Sequence, residues 1–160
     1  MKASAALSRP ARLGRMACSF AISALWLAAG CGDDDGGAYG PTDTGQSCSS
    51  AAQCYPGVKD GALIGEAVCL DRVEGGYCTH HCTADSDCCA AIGECGGPYS
   101  EVCSPFESTD DRYCFISCEE RDWQDGAWAD GDAYCANYAG PAFHCRSSGG
   151  GAANRKVCVP

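Results

Sequence analysis

Cysteine is the residue whose abundance and spacing in this chain could support chemistry. The chain has 160 residues and 16 cysteines, and the segment Cys78-Thr-His-His-Cys82 holds two thiols and two imidazoles, a ligand set that suits zinc. The alternative is that the cysteines form disulfides and that His80 and His81 face the solvent. We expect the alternative, because the same cysteine pair recurs 36 residues later without histidines. A bonded sulfur is no nucleophile, so we expect neither a metal site nor a Cys–His catalytic pair here.

The cysteines recur in register along the chain. One spacing is found twice, 34 residues apart, first at Cys48, Cys54 and Cys69 and then at Cys82, Cys88 and Cys103. A third, looser copy runs from Cys118 to Cys158. These copies divide the chain into cysteine-rich units at 48–81, 82–117 and 118–160, called repeats one, two and three below.

Each repeat contains an even number of cysteines, which predicts disulfides that close within repeats. The three sets are Cys48, Cys54, Cys69 and Cys78; Cys82, Cys88, Cys89, Cys95, Cys103 and Cys114; and Cys118, Cys135, Cys145 and Cys158. Sequence leaves about three, fifteen and three connectivities open for these sets. If repeat two keeps the bonds of repeat one, its two additional cysteines pair as Cys89–Cys95.

The spacing resembles that of small cysteine-rich repeats in secreted bacterial lipoproteins. The adjacent Cys88 and Cys89 also resemble the doublet of Dickkopf-type and knottin modules. A knottin-like order implies bonds that cross the boundary between repeats one and two: Cys78–Cys89, Cys82–Cys95 and Cys88–Cys103. The 34-residue register favours pairing within the repeats instead.

Apolar residues are scarce in the cysteine-rich part of the chain. From Cys31 onward only 14 of 130 residues are Leu, Ile, Val or Phe, too few to sustain a core without cross-links. We therefore predict a small disulfide-rich fold of loops and short β-hairpins with little helix. Ala67–Leu70 and Arg112–Ile116 are the predicted strands. Reduction should unfold such a protein.

Residues 1–30 have the three parts of an export signal. Four basic residues precede an apolar run from Met16 to Leu27, and small residues follow it. We predict a signal helix that is removed from the mature protein. The 16 residues from Met16 to Cys31 span about 24 Å as a helix, less than the bilayer core of about 30 Å, so no permanent membrane span is expected.

The stretch Leu-Ala-Ala-Gly-Cys, which ends at Cys31, resembles a bacterial lipobox, with Ala28 at the position where the family usually has leucine. The resemblance implies cleavage before Cys31, attachment of lipid such as palmitate to it, and a bacterial envelope location. Gly32 favours the outer membrane over the inner one. The alternative is cleavage after Gly30 by the general signal peptidase, without lipid. Residues 31–47 are predicted to be a flexible acidic, glycine-rich tether.

The distribution of charged residues along the chain argues against one class of partner. All 21 of them follow the apolar run, whereas 4 of the 11 basic residues precede it. No basic stripe is available to displace counterions, so nucleic acid is not an expected partner.

The insertion at 119–134 in repeat three supplies candidate binding residues, either for a cation or as a platform for a glycan or peptide: Trp123, Trp128, Asp125, Asp130 and Asp132. The alternative is an acidic loop whose tryptophans fold back onto the disulfide core.

The sequence contains no recognised catalytic motif and implies no cofactor. We expect a lipid-anchored, non-enzymatic binding or structural module that contacts an extracellular protein or glycan. The alternatives are a protease inhibitor that presents a loop and a cation-binding surface protein.

Overall fold

Three antiparallel β-hairpins, one in each repeat, form the framework of the protein. The computed structural model describes residues 43–160, so the predicted signal helix, the lipidation of Cys31 and most of the tether lie outside the described residues. The strands are β1 (Ala67–Leu70), β2 (Tyr77–His80), β3 (Glu101–Pro105), β4 (Arg112–Ile116), β5 (His144–Ser147) and β6 (Lys156–Val159). They pair as β1–β2, β3–β4 and β5–β6. The two predicted strands are β1 and β4.

Helix is confined to short segments in this part of the chain. The α-helices α1 (Glu120–Trp123) and α2 (Gly131–Tyr138) both lie in repeat three, and single 3-10 turns occur at Ala51–Gln53, Asp85–Asp87 and Gly151–Ala153. The prediction of a small disulfide-rich fold of loops and short hairpins with little helix is confirmed.

Each hairpin carries two cysteines that face each other directly across its strands. The opposed pairs are Cys69 and Cys78, Cys103 and Cys114, and Cys145 and Cys158. Directly opposed residues project to the same face of a hairpin. The two sulfurs do not bond to each other. Each bonds instead to a cysteine earlier in its own repeat, so that the preceding segment is held against that face.

The resulting bonds follow one pattern in all three repeats. Each repeat has four framework cysteines, of which the first bonds to the third and the second to the fourth. The six resulting bonds are Cys48–Cys69, Cys54–Cys78, Cys82–Cys103, Cys88–Cys114, Cys118–Cys145 and Cys135–Cys158. The seventh is Cys89–Cys95, the bond that the repeat register predicts for the two additional cysteines. No bond crosses between repeats, so the knottin-like order does not occur.

Successive hairpins are joined because the chain leaving one becomes an edge of the next. His81, just after β2, pairs with Tyr113 in β4, and the Cys82 amide donates to the Arg112 carbonyl at 3.1 Å. In the same way the Cys118 amide donates to the Lys156 carbonyl at 3.0 Å. The backbone ladder therefore links the repeats without any disulfide between them.

The backbone just before Cys48 also pairs with a hairpin, so the predicted tether is wrong for residues 43–46. The Gly45 amide donates to the Cys78 carbonyl and the Cys78 amide to the Gln46 carbonyl, both at 2.8 Å. Thr44 is fully buried, and its hydroxyl donates to Glu101 at 2.9 Å. The folded part thus begins before Cys48, because residues 43–46 complete the edge of the first hairpin.

A small aromatic and aliphatic core draws on all three repeats. Tyr77, Phe115 and Val157 are fully buried in one cluster, and the rings of Tyr77 and Phe115 lie 5.3 Å apart. The Ile116 amide donates to the Tyr77 hydroxyl at 3.3 Å, and the Thr79 hydroxyl donates to the Cys114 carbonyl at 2.6 Å. Few apolar residues suffice because the half-cystines and these buried hydrogen bonds complete the packing.

His80 is buried, which makes the expectation that both histidines face the solvent wrong for this residue. Its side chain is fully inaccessible and its Nε2 lies 2.6 Å from Glu94 Oε1. Its Nδ1 lies 2.9 Å from the carbonyl oxygens of Ile64 and His81. The buried position follows from the tertiary structure, since the loop closed by Cys89–Cys95 in repeat two covers β2 and supplies Glu94. His81 is half-buried against the ring of Tyr113, at 4.7 Å.

Arg155 joins repeats two and three through two carboxylates. Its Nε and Nη2 donate to the two oxygens of Glu119, and its Nη1 donates to both oxygens of Asp85 at 3.1 Å. Hydrogen bonds from Arg155 lower the pKa of Glu119. About a fifth of the Arg155 side chain is exposed, at 21%, whereas Arg72 is 66% exposed in its pair with Glu107.

We expect Arg155→Ala to lower the free energy of unfolding by about 1–2 kcal/mol, because the half-buried Glu119 loses its bidentate partner and the exposed Asp85 loses its link to repeat three. Arg72→Ala is the matched control and should cost less than about 1 kcal/mol, since an exposed pair contributes little. Urea unfolding with the disulfides intact measures both values. Equal losses would contradict a joining role for Arg155.

Candidate functional site

A groove in repeat three contains three of the five candidate binding residues. Its volume is about 510 Å³. Its walls include Glu120, Trp123, Asp130, Asp132 and Lys156. The Cys118–Cys145 bond also lines it. We call this surface the Trp123 groove.

The first turns of α1 and α2 position the side chains that line the groove. The Glu119 amide donates to Asp122 Oδ2 at 2.9 Å, which caps the beginning of α1. Asp130 caps α2 by accepting a hydrogen bond from the Ala133 amide at 2.9 Å. The segment expected as an acidic loop therefore contains α1 and the beginning of α2, because two of its aspartates occupy capping positions.

Asp132 is held at the groove as a carboxylate. Its Oδ1 accepts a hydrogen bond from the Cys145 amide at 2.7 Å, and its Oδ2 lies 3.6 Å from His144 Nδ1. The Cys145 amide is the main cause of a pKa for Asp132 below the ordinary value, and His144 adds to it. The groove thus keeps a negative charge beside the indole of Trp123.

Gly131 allows α2 to approach the disulfide that lines the groove. A Cβ atom at this position would lie 2.7 Å from Cys145 Sγ and 3.4 Å from Trp123 Nε1. The first distance is shorter than van der Waals contact, so a larger residue would displace either the helix or the sulfur. Close packing at Gly131 therefore sets the spacing between Trp123 and the Cys118–Cys145 bond.

The other two candidates lie away from the groove. Trp128 packs edge-on against Tyr138, with ring centroids 5.5 Å apart, and against Tyr134 at 6.4 Å. Asp125 is exposed between the two helices. Both tryptophans are half-buried against the cluster of Cys118, Tyr134 and Cys135, as the folded-back alternative describes.

The structure does not bring the candidate aspartates together as ligands. Among residues 43–160, the groups of three His, Cys, Asp or Glu side chains with ligand atoms close together consist of disulfide cysteines, with Glu101 as the one carboxylate among them. Asp125, Asp130 and Asp132 belong to none of these groups. A bonded sulfur is not available as a thiolate ligand.

A second polar site, which the sequence does not reveal, surrounds the Cys89–Cys95 bond. Glu94 is fully buried and accepts hydrogen bonds from the amides of Cys89 and Ala91, both at 2.7 Å. Glu101 is also buried, and its Oε1 lies 3.2 Å from Cys95 Sγ. The only sequence signal for this site is the additional cysteine pair, because nothing local distinguishes these two glutamates from the other acids.

Burial of Glu101 changes its protonation. Its Oε2 accepts a hydrogen bond from Thr44, whose oxygen lies 2.8 Å from the Tyr55 hydroxyl. Loss of solvation is the main cause that raises the pKa of Glu101 to about 8; the Thr44 hydrogen bond opposes it, and the nearby acids Glu94 and Asp43 add to it. The carboxyl is therefore protonated at neutral pH.

No protein-family model, curated protein or solved structure matches this chain. Within residues 43–160, neither helix has the length and apolar character required to cross a bilayer.

We expect the free energy of unfolding to fall as the pH rises from 5 to 8. The folded state holds the Glu101 proton up to about pH 8, whereas the unfolded chain releases it near the ordinary pKa of 4.5. The unfolded state thus binds fewer protons in this window, and the loss amounts to a few kcal/mol. Denaturant unfolding at several pH values, with the disulfides intact, measures the slope. Glu101→Gln should flatten this slope, whereas the exposed control Glu66→Gln should leave it unchanged. Equal slopes in the unaltered protein and both variants would contradict the assignment of the raised pKa to Glu101.

Proposed function

We propose that this chain is a lipid-anchored, disulfide-stabilised protein of the bacterial cell envelope, on the outer membrane, that binds an extracellular partner through the Trp123 groove. Seven disulfides among the described residues support an oxidising compartment outside the cytosol. The lipobox-like sequence before Cys31 supports attachment to a membrane. We propose binding rather than catalysis, since the sulfurs that line the groove are bonded to each other.

The binding proposal rests on one observation, the position of the Trp123 indole among carboxylates in the Trp123 groove. Trp123 shares the groove with Glu120, Asp130 and Asp132, against a single Lys156. An aromatic face attracts a positive charge, and nearby carboxylates strengthen that attraction. The groove therefore suits a glycan or peptide that carries an amino or guanidinium group on an apolar body.

The loop closed by Cys89–Cys95 does not favour the protease-inhibitor alternative. Ile92 is 97% exposed at the tip of this loop. However, the Glu94 amide donates to the Ala91 carbonyl at 3.2 Å and Gly93 has a φ of 86°, which places Ile92 at the corner of a tight turn. An extended backbone, as a protease cleft requires, is not presented there.

The groove can be tested with an oligosaccharide of glucosamine and its fully N-acetylated counterpart, titrated against the oxidised protein while tryptophan fluorescence is recorded. We expect the cationic sugar to bind more tightly, because only it carries charges for the carboxylates. Asp132→Asn should weaken binding about tenfold, since it removes a charge while retaining an acceptor for Cys145. Asp125→Asn removes the same charge outside the groove and should have little effect. Equal effects of the two variants, or no preference for the cationic sugar, would contradict the proposal.

The anchor can be tested by mass spectrometry of the N-terminal peptide from membrane-extracted protein. We expect a peptide that begins at Cys31 and carries added acyl mass. Cys31→Ser should move the protein from the membrane fraction to the soluble one. A peptide that begins at Cys31 without acyl mass, or one that still contains residues 1–30, would rule out lipid attachment.

A further inference from the structure

The Cys89–Cys95 bond differs from the other six because it lies outside the repeated framework. Repeats one and three each hold their hairpin with two bonds, and repeat two has the equivalent pair, Cys82–Cys103 and Cys88–Cys114. Cys89 and Cys95 are 6 residues apart, whereas the partners in the other bonds are 21 to 27 residues apart. A short loop restricts the unfolded chain least. The hairpin framework therefore does not require this bond.

Cys89 is also the half-cystine that a reagent can reach. It is exposed, whereas the other bonded cysteines of residues 43–160 are buried or half-buried. Its backbone has a φ of 74°, a left-handed conformation that is unfavourable for a residue with a side chain. A thiolate that approaches from solvent can attack Cys89 Sγ, with Cys95 as the leaving sulfur on the inner side.

Glu101 lies next to that leaving sulfur. Its Oε1 is 3.2 Å from Cys95 Sγ, and its other oxygen is occupied by the Thr44 hydroxyl. A disulfide sulfur has no hydrogen to donate, so a hydrogen bond in this contact can only be donated by the protonated carboxyl group. The raised pKa of Glu101, about 8, agrees with a protonated carboxyl in this position.

We propose that Cys89–Cys95 is a redox-active disulfide that is opened by an external dithiol, and that Glu101 is the acid that protonates Cys95 as the bond breaks. This goes beyond the proposed binding function and does not depend on it. The thiolate of the dithiol forms a bond to Cys89 Sγ, and the electron pair of the broken bond passes to Cys95 Sγ. Cys95 takes the proton of Glu101, which becomes a carboxylate.

The second thiol of the reagent completes the exchange. As a thiolate it attacks the reagent's sulfur in the mixed disulfide, which releases Cys89 as a thiolate. The dithiol is oxidised to a disulfide, and the protein bond is reduced to two thiols once the Cys89 thiolate takes a proton from water. The opened loop then holds Glu94 against His80 by non-covalent contacts alone, so reduction loosens the contact between repeats one and two.

The groups around Glu101 keep its proton in place. The ionisable groups that act on it or are acted on by it are Asp43, Glu94, Tyr55, Tyr77 and Tyr99. Glu94 in turn contacts His80. Burial, and to a lesser degree the near acids, disfavours the carboxylate, so the proton is lost only as the pH passes about 8.

The first test is limited reduction of the full-length, oxidised protein with dithiothreitol, followed by alkylation and peptide mapping. We expect Cys89 and Cys95 to be alkylated at least about tenfold faster than any other cysteine pair, because Cys89 is exposed and Glu101 can protonate the leaving sulfur of Cys95. Earlier labelling of another pair, or labelling of all pairs together, would overturn the proposal.

The second test isolates Glu101 as the acid. The rate of opening is divided by the rate for a small linear disulfide in the same buffer, which removes the pH dependence of the reagent. We expect this ratio to fall as the pH rises past about 8, where Glu101 loses its proton. A ratio that stays constant across this range would overturn the role of Glu101, and this measurement needs only the unaltered protein.

Glu101→Gln provides the matching variant. Glutamine can still donate a hydrogen bond to the sulfur, but it cannot transfer a proton. We expect the ratio at pH 7 to drop about tenfold and to become independent of pH. Glu66→Gln, an exposed change elsewhere in the chain, should leave the ratio and its pH dependence unaltered. A Glu101→Gln rate equal to that of the original protein would overturn the role of Glu101, while the alkylation order tests the bond by itself.

Discussion

The structure of residues 43–160 depends on pairs of cysteines that face each other across hairpins but form their disulfides with cysteines earlier in the same repeat. Cys69 and Cys78 are directly opposed, yet each binds a cysteine earlier in the chain, and the same holds in the other two repeats. Because opposed residues project to one face, each hairpin holds its preceding segment on that face. Two covalent bonds per repeat thus replace much of the apolar surface that a chain of this composition lacks.

Between repeats the constraints are non-covalent and largely polar. The chain leaving β2 pairs with β4, Tyr77 accepts a hydrogen bond from Ile116, and Arg155 connects Asp85 with Glu119. These contacts depend on the rigidity of each cross-linked hairpin, since a mobile strand would not hold a buried hydroxyl or guanidinium in position. The Trp123 groove and the buried Glu101 site share this dependence. The Trp123 groove is built on the Cys118–Cys145 bond, and the Glu101 site on Cys89–Cys95.

The two sites differ in how far they could be predicted. Trp123, Asp130 and Asp132 stand out in the sequence because they belong to an acidic insertion in an otherwise regular repeat. Sequence could not separate them from Trp128 and Asp125, because the helix caps at Asp122 and Asp130 decide which side chains turn toward the groove. Glu101 gave no local signal at all. Its hydrogen-bond donor is Thr44, which is 57 residues away along the chain and contacts Tyr55 in turn.

The amino-acid sequence by itself determined the fold class, the strands β1 and β4, the closure of disulfides within repeats and the pair Cys89–Cys95, but it left open which framework cysteines pair within each repeat. These features follow from spacing along the chain, since a repeated interval between cysteines implies a repeated set of bonds. Only the tertiary structure decided that His80 is buried, that residues 43–46 belong to the first hairpin, and that Glu101 meets Cys95. The reason is physical: burial depends on which distant segment covers a side chain, and here the segments that cover His80 and Glu101 come from another repeat or from before the first one.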